Sequence, residues 1–123
     1  MKKKVAIVDY GLGNILSAQQ SFKKVIHENE LNIEVIITNQ TKDIDSASHI
    51  VLPGQGAFAS CMHGLKSITG MVNVLKENVI NCKKPFLGIC VGMQLLADIS
   101  YENGEHCGLG WIKGSIEKLK VNN

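Results

Sequence analysis

The feature that most constrains the fold is a cysteine placed at a predicted corner between a strand and a helix. An apolar run opened by Pro85 ends at Cys90, and a second apolar segment of helical character follows directly. Gly88 and Gly92 flank the cysteine two residues away on either side. We expect a side chain at either flanking position to collide with neighbouring backbone, which glycine avoids. The pattern predicts a nucleophile elbow that holds a thiol at the top of a sheet.

Strand-like and helix-like segments alternate along the rest of the chain. β-branched apolar runs predict strands at 4–8, 33–37 and 49–52, in addition to the run that ends at Cys90. Apolar residues at helical spacing predict helices over 15–29, 70–81 and 91–99, and a loop and strand follow over 108–116. The polar stretch over 38–48 predicts a loop with one helical turn near Ile44. This alternation predicts an α/β fold, with helices on the faces of a parallel sheet.

Two glycine-rich loops follow predicted strands, at the edge of the sheet where α/β proteins bind ligands. The first loop, over 10–14, does not form a dinucleotide-binding motif because Leu16 stands where the third glycine belongs. We therefore interpret it as a tight turn between a strand and a helix. The second loop, over 53–58, contains Gly54 and Gly56, whose backbones can turn N–H groups toward one point.

These residues predict a site for acyl transfer. Cys90 at a helix N-terminus would have its thiolate stabilised by nearby N–H groups and the helix dipole. Backbone N–H groups of Gly54, Gln55 and Val91 would form an oxyanion hole for an attacked carbonyl. A thiolate beside an oxyanion hole predicts catalysis through a thioester. The alternative interpretation is a structural cysteine between two packing glycines.

Composition narrows the class of protein. The chain of 123 residues is one domain or part of one, and its net charge of +2 gives no indication of nucleic-acid binding. Its apolar runs are too short for a secretory signal or a transmembrane helix. The four cysteines show no metal-ligand spacing, so we expect free thiols, a cytoplasmic location and no metal or cofactor. Three of them are predicted to be small, partly buried hydrophobic residues: Cys61, Cys82 and Cys107.

Four blocks of the sequence resemble one protein family. Residues 88–94 resemble the nucleophile motif of class I (triad) glutamine amidotransferases, and residues 53–58 resemble their oxyanion loop. Residues 9–14 and 108–114 narrow the resemblance to the glutaminase subunits of imidazole glycerol phosphate synthase, in histidine biosynthesis. The resemblance implies a three-layer, flavodoxin-like fold. Residues 1–123 would then be the N-terminal portion of a single domain whose C-terminal strands are missing.

The resemblance also implies a reaction and a partner. Cys90 would hydrolyse glutamine to glutamate and ammonia, and Gly56 and Gln94 would help to hold the glutamine. The ammonia would pass to a separate (β/α)8-barrel cyclase subunit in a heterodimer. Gln55 departs from the smaller apolar residue that is usual between the two loop glycines of the family.

The catalytic base of the family has no counterpart in this sequence. Family members pair the cysteine with a histidine and a glutamate two residues apart in a C-terminal segment, and no His-x-Glu occurs in the 123 residues. We expect surface or capping roles for the four histidines and little or no glutaminase activity from this chain alone. The histidines are His27, His49, His63 and His106.

Several interpretations remain open at this point. The chain is interpreted as a truncated glutaminase, which should leave a sheet edge or a helix-packing face uncovered. The alternatives are a reduced relative that binds a partner without catalysis, a glutaminase paralogue that supplies a sugar-amidating synthase, and a different cysteine hydrolase on a similar sheet.

Overall fold

The centre of the molecule is a parallel sheet, in a computed structural model that describes residues 2–120. Its strands are β1 (Lys3–Val8), β2 (Ile33–Thr38), β3 (His49–Leu52) and β4 (Phe86–Gly88). They pair in the order β2-β1-β3-β4, and every pairing is parallel. The predicted α/β class and all four predicted strands are confirmed.

Helices cover both faces of this sheet. They are α1 (Ile15–Glu28), α2 (Thr41–Ser46), α3 (Phe58–Ser67), α4 (Met71–Lys76), which continues into a π-helical turn at Glu77–Asn81, and α5 (Val91–Gln94). α1 packs on one face, and α2, α3 and α4 contribute to the core on the other. The three layers follow from the sequence of β1, in which Val5 and Ile7 face α1 while Ala6 and Val8 face the opposite core.

A smaller sheet follows α5. It consists of β5 (Ala97–Ser100), β6 (His106–Cys107) and β7 (Ile112–Ile116), in the order β6-β5-β7. β5 is antiparallel to β6 and parallel to β7. The strand predicted within 108–116 is therefore confirmed, and the Asn103–Gly104 turn joins β5 to β6.

The helix predicted over 91–99 is wrong beyond Gln94. The backbone carbonyls of Leu95 and Leu96 accept hydrogen bonds from the later loop and from the start of β7 instead of from a continuing helix. The N–H of Leu109 donates to Leu95 at 2.7 Å, and those of Trp111 and Ile112 both donate to Leu96 at 2.9 Å. Long-range pairing thus overrides the local helical pattern, and the next four residues form β5.

The sequence analysis assigned no helix to α3, although its pattern is helical. Its buried residues Phe58, Cys61, Met62 and Leu65 recur at the i, i+3, i+4, i+7 spacing of one helix face. Phe58 was placed in the loop over 53–58, and residues 59–67 received no assignment. α3 matters for the site because it begins directly after the second glycine-rich loop.

One edge of the main sheet is open. β4 pairs with β3 and, among residues 2–120, with no other strand. Leu87 on this strand and Val25 on α1 are about half exposed. An uncovered edge of this kind was expected. Within the same described range, no helix is long and apolar enough to span a membrane.

Candidate functional site

Cys90 occupies a strained corner between β4 and α5. Its backbone has φ 55° and ψ −122°, a conformation that side chains rarely adopt, and its side chain is exposed. The N–H of Gly92 donates to the carbonyl of Ile89 at 2.9 Å, which closes a turn with Cys90 at its second position. These angles match a type II′ turn, in which that position is normally glycine. A non-glycine residue held there costs about 1–3 kcal/mol, so the surrounding packing must enforce it.

Close backbone contacts at the two flanking glycines provide that packing. A Cβ on Gly92 would lie 1.9 Å from the carbonyl oxygen of Leu52, and a Cβ on Gly88 would lie 2.8 Å from the Cα of Met93. Both contacts are to backbone, which cannot rotate away as a flexible side chain can. The predicted collision at each flanking position is confirmed.

The loop after β3 packs directly on this corner. Pro53 and Gly54 are buried, and a Cβ on Gly54 would lie 2.4 Å from the backbone nitrogen of Gly92. Gly56 has φ 95° and open space around its Cα, so it needs glycine for its conformation rather than for space. Because Gly54 and Gly92 approach so closely, the loop and the elbow form one packed unit.

Cys90 and the loop line a shared cleft of about 730 Å³. This volume lies within the range of small-molecule sites. Of the residues predicted for the site, the cleft is lined by Cys90, Gly54, Gln55, Gly56 and Val91. Gln94, at the end of α5, does not belong to the lining.

α1 forms the opposite wall of the cleft and brings polar groups that the sequence analysis did not single out. Asn14, Ser17 and Ser21 line the cleft, where Asn14 also caps α1 by accepting from the N–H of Ser17 at 3.4 Å. Their i, i+3, i+7 spacing places them on one helix face, and this spacing could have indicated from the sequence that they line a common surface. The apolar part of the wall consists of Ala18, Phe22 and Val25.

α5 is shorter than predicted, which changes the electrostatics of the corner. The helix has four residues, so only one turn of aligned peptide dipoles points at Cys90. The N–H groups of Met93 and Gln94 are directed at the carbonyl of Cys90, at 3.0 and 3.3 Å. The dipole stabilisation expected for a full helix of nine residues is therefore reduced.

The histidines lie elsewhere in the described part of the chain. None of the four lines the Cys90 cleft. His27 and His63 are exposed on α1 and α3, while Nε2 of His106 lies 3.0 Å from the carbonyl oxygen of Asn103. These three positions agree with the expected surface or capping roles, whereas His49 begins β3, is half-buried, and has Nδ1 2.9 Å from the hydroxyl of Ser48. No histidine in the cleft is available as a base for Cys90.

The other cysteines differ partly from expectation. All four thiols are free, as predicted, and Cys61 is buried. Cys82 and Cys107 are exposed, so the prediction that they are partly buried is wrong for both. Among residues 2–120, no group of three or more potential ligands is placed to hold a metal ion.

Two buried side chains that were not predicted as functional contact the loop after β3. The hydroxyl of Tyr10 donates to the carbonyl of Pro53 at 2.5 Å, and the thiol of Cys61 donates to the carbonyl of Gln55 at 3.4 Å. Burial, with a smaller contribution from neighbouring Cys61, raises the pKa of Tyr10 well above its ordinary value. Tyr10 directly follows Asp9 at the end of β1, so the edge rule for parallel strands could have placed it beside Pro53.

A strand-to-helix corner with a cysteine, a glycine loop packed on it and a three-layer parallel sheet define the class. The chain belongs to the glutamine amidotransferase class-I family, which matches residues 7–118. The sheet with helices on both faces is consistent with the flavodoxin-like fold of that family.

Individual proteins similar to this chain are described more specifically than the family as a whole. The chain is similar to the imidazole glycerol phosphate synthase subunit HisH of Rhodospirillum rubrum, with 46% identity over 116 residues that cover 94% of this chain and 54% of the relative. The subunit HisH of Pelagibacter ubique is 49% identical over 119 residues, covering 97% of this chain and 56% of the relative. The chain thus spans about half the length of the curated relatives it matches.

Proposed function

We propose that this chain carries the nucleophile and the oxyanion loop of a glutaminase subunit of imidazole glycerol phosphate synthase. The observation that carries the proposal is the strained Cys90 corner, which shares a cleft with the loop over 53–56. A structural cysteine would not require a conformation that glycine adopts at lower cost. The names of the similar relatives favour the histidine pathway over a sugar-amidating synthase.

The chemistry assigned to the cleft is acyl transfer. The sulfur of Cys90 bonds to the side-chain amide carbon of glutamine, and negative charge develops on the amide oxygen. Backbone N–H groups of Gly54, Gln55 and Val91 stabilise that charge. The C–N bond then breaks, and the nitrogen takes the proton that the Cys90 thiol gave up and leaves as ammonia. Water then adds to the thioester carbon, and the C–S bond breaks to give glutamate and the free thiol. Gly56 and Gln94 are assigned to binding of the substrate.

The partner and the location are part of the same proposal. Ammonia passes to a (β/α)8-barrel cyclase subunit in a heterodimer, in the cytoplasm, where free thiols persist. The name of each relative as a subunit of a synthase supports the existence of a partner. Residues 1–123 are assigned to the N-terminal portion of a single glutaminase domain. No cofactor or metal enters the reaction.

The proposal is tested on this chain by labelling Cys90 with a chloroketone analogue of glutamine. We expect Cys90 to react faster than the exposed thiols of Cys82 and Cys107, which serve as internal controls, and we expect glutamine to protect it. Peptide mass spectrometry quantifies each thiol. Equal labelling of the three exposed cysteines without protection by glutamine would refute a formed glutamine site.

A second test separates the nucleophile from the base. The purified chain is expected to release little or no ammonia from glutamine, because no histidine lines its cleft. In a version that carries the His-x-Glu segment of the family and is bound to the cyclase, Cys90→Ala is expected to abolish glutaminase activity. Robust ammonia release by the chain alone would contradict this account of the base, and normal turnover by Cys90→Ala would contradict the role of Cys90.

A further inference from the structure

The loop that lines the cleft is attached to the core through two of its carbonyl groups. Tyr10 donates to the carbonyl of Pro53, and Cys61 donates to the carbonyl of Gln55. Both donors are buried, with 7% and 0% of their surface exposed. Neither side chain touches the reacting atoms in the proposed mechanism. The hydrogen bond of Tyr10 is buried, whereas that of Cys61, to the carbonyl of the exposed Gln55, is partly buried.

The two donors come from different elements and meet behind the loop. Tyr10 is the second residue after the end of β1, directly after Asp9, and Cys61 lies in the first turn of α3. The Cys61 thiol lies close enough to the Tyr10 hydroxyl to contribute to its raised pKa. Because burial also raises that pKa, the hydroxyl stays protonated and remains a donor at neutral and mildly alkaline pH.

Fixing these carbonyls fixes two N–H groups of the loop. A trans peptide is planar, so its C=O and N–H groups point in opposite directions. The direction of the Pro53 carbonyl therefore sets that of the Gly54 N–H, and the Gln55 carbonyl sets that of the Gly56 N–H. Glycines at positions 54 and 56 give the loop a freedom that only external contacts can remove.

We propose that Tyr10 and Cys61 are positioning residues that fix the Pro53–Gly54 and Gln55–Gly56 peptides of the loop against the Cys90 elbow. The assignment rests on the proposed function, in which the N–H of Gly54 donates to the developing oxyanion and Gly56 helps to bind the glutamine. Oxyanion donors act through preorganisation, and a displacement of about 1 Å in such a site can cost roughly 100-fold in rate. The hydrogen bonds of Tyr10 to Pro53 and of Cys61 to Gln55, called the brace below, supply that preorganisation from behind the loop, without contact with the substrate.

The variants that test the brace remove single atoms or single donors. Tyr10→Phe removes only the hydroxyl, and its matched control is Tyr101→Phe on an exposed tyrosine. Cys61→Ala removes the thiol donor, whereas Cys61→Ser keeps a donor at the same position and serves as the conservative rescue. Each variant is assayed well below its own melting temperature, so that loss of fold does not enter the comparison.

The first readout compares two reagents at Cys90. A chloroketone analogue of glutamine develops negative charge on its carbonyl oxygen, whereas iodoacetamide reports only access to the thiol. We expect Tyr10→Phe and Cys61→Ala to slow the labelling of Cys90 by the chloroketone roughly three- to tenfold, which corresponds to the loss of about one hydrogen bond. The rate of labelling by iodoacetamide should not change. Cys61→Ser and Tyr101→Phe should label at the rate of the unmodified chain. Equal slowing of both reagents, or slowing of neither, overturns the positioning role.

The second readout does not depend on glutamine. Amide hydrogen exchange of Gly54 and Gly56, followed by NMR, should be faster in Tyr10→Phe and Cys61→Ala than in the unmodified chain. Unchanged exchange in both variants overturns the brace. If the unmodified chain shows no preference for the glutamine analogue, the proposed function fails, and faster exchange in the variants still supports the brace.

Discussion

The two walls of the Cys90 cleft are built in different ways. In the wall formed by the loop after β3, Pro53 and Gly54 are buried and Gly54 packs on Gly92 of the elbow, backbone against backbone, while Gln55 and Gly56 are exposed. The wall formed by α1 and the open edge of β4 leaves Val25 and Leu87 with 53% and 49% of their surface exposed. The first wall is fixed at Gly54, which cannot shift toward the elbow because the backbone of Gly92 lies against it. The second has no such constraint.

This difference separates two parts of the proposed chemistry. The corner that presents the thiol is complete within residues 2–120, because its strain is held by contacts among β3, β4 and α5. The group that would exchange a proton with the thiol or the leaving ammonia is not supplied by any histidine in the cleft. A chain can therefore hold a nucleophile in a reactive geometry without being competent for turnover.

The largest expected effect comes from breaking the packed wall with Gly92→Ala. The new Cβ would lie 1.9 Å from the carbonyl oxygen of Leu52, so the elbow must separate from β3. We expect the free energy of unfolding to fall by more than about 4 kcal/mol, measured by urea denaturation. Gly114→Ala is the control, because it has φ 146° with nothing within 4 Å and should cost only about 1 kcal/mol. Similar losses in the two variants would show that conformational strain, not close packing, dominates.

A matched pair of leucines tests the contrast between the walls directly. Leu52 and Leu87 lie on adjacent paired strands, but Leu52 is fully buried and Leu87 is about half exposed. Leu52→Ala should lower the free energy of unfolding by about 3 kcal/mol, within the range for a leucine truncated in a core. Leu87→Ala should lower it by less than about 1 kcal/mol. Denaturation midpoints of the two variants check this, and equal losses would mean that the β4 edge is covered in solution.

Relieving the strained corner should stabilise the chain. Cys90 has φ 55° and ψ −122°, angles that glycine adopts freely. We expect Cys90→Gly to be more stable than Cys90→Ala by about 1 kcal/mol, because the relief of strain exceeds the entropic cost of glycine. Thermal denaturation followed by circular dichroism measures the difference. If Cys90→Ala is the more stable of the two, the corner is not strained and the packing around it does not enforce the conformation.

Much of this architecture could be predicted from local patterns. β-branched runs predicted three strands, the apolar run after Pro85 predicted the fourth, and the glycines around Cys90 predicted the elbow, because each depends on a few neighbouring residues. The helix over 91–99 was wrong beyond Gln94 because the carbonyls of Leu95 and Leu96 bond to residues 14–16 positions later in the sequence. No pattern within a short window reports such a partner.

The loop contacts lie outside any short sequence window, although the edge rule for parallel strands could have placed Tyr10 beside Pro53. Tyr10 and Pro53 are 43 residues apart in sequence, and their hydrogen bond exists only because β1 and β3 are neighbours in the sheet. Cys61 was predicted to be a small, partly buried hydrophobic residue because the cysteines show no metal-ligand spacing in the sequence. Its contact with Gln55 depends on α3, a helix that was not predicted although its apolar spacing was present.

The smallest expected effect concerns the far end of the packed wall. The carboxylate of Glu102, between β5 and β6, accepts a hydrogen bond from the N–H of Phe58 at 3.3 Å, at the start of α3. A negative charge there is stabilised by the unpaired N–H groups and the dipole of the helix. Glu102→Gln should therefore lower the free energy of unfolding by about 0.5 kcal/mol at low ionic strength, and added salt should reduce this difference. Glu105→Gln, on an exposed residue of the same turn, should leave stability unchanged, and an equal effect of both variants would assign the change to net charge rather than to the end of α3.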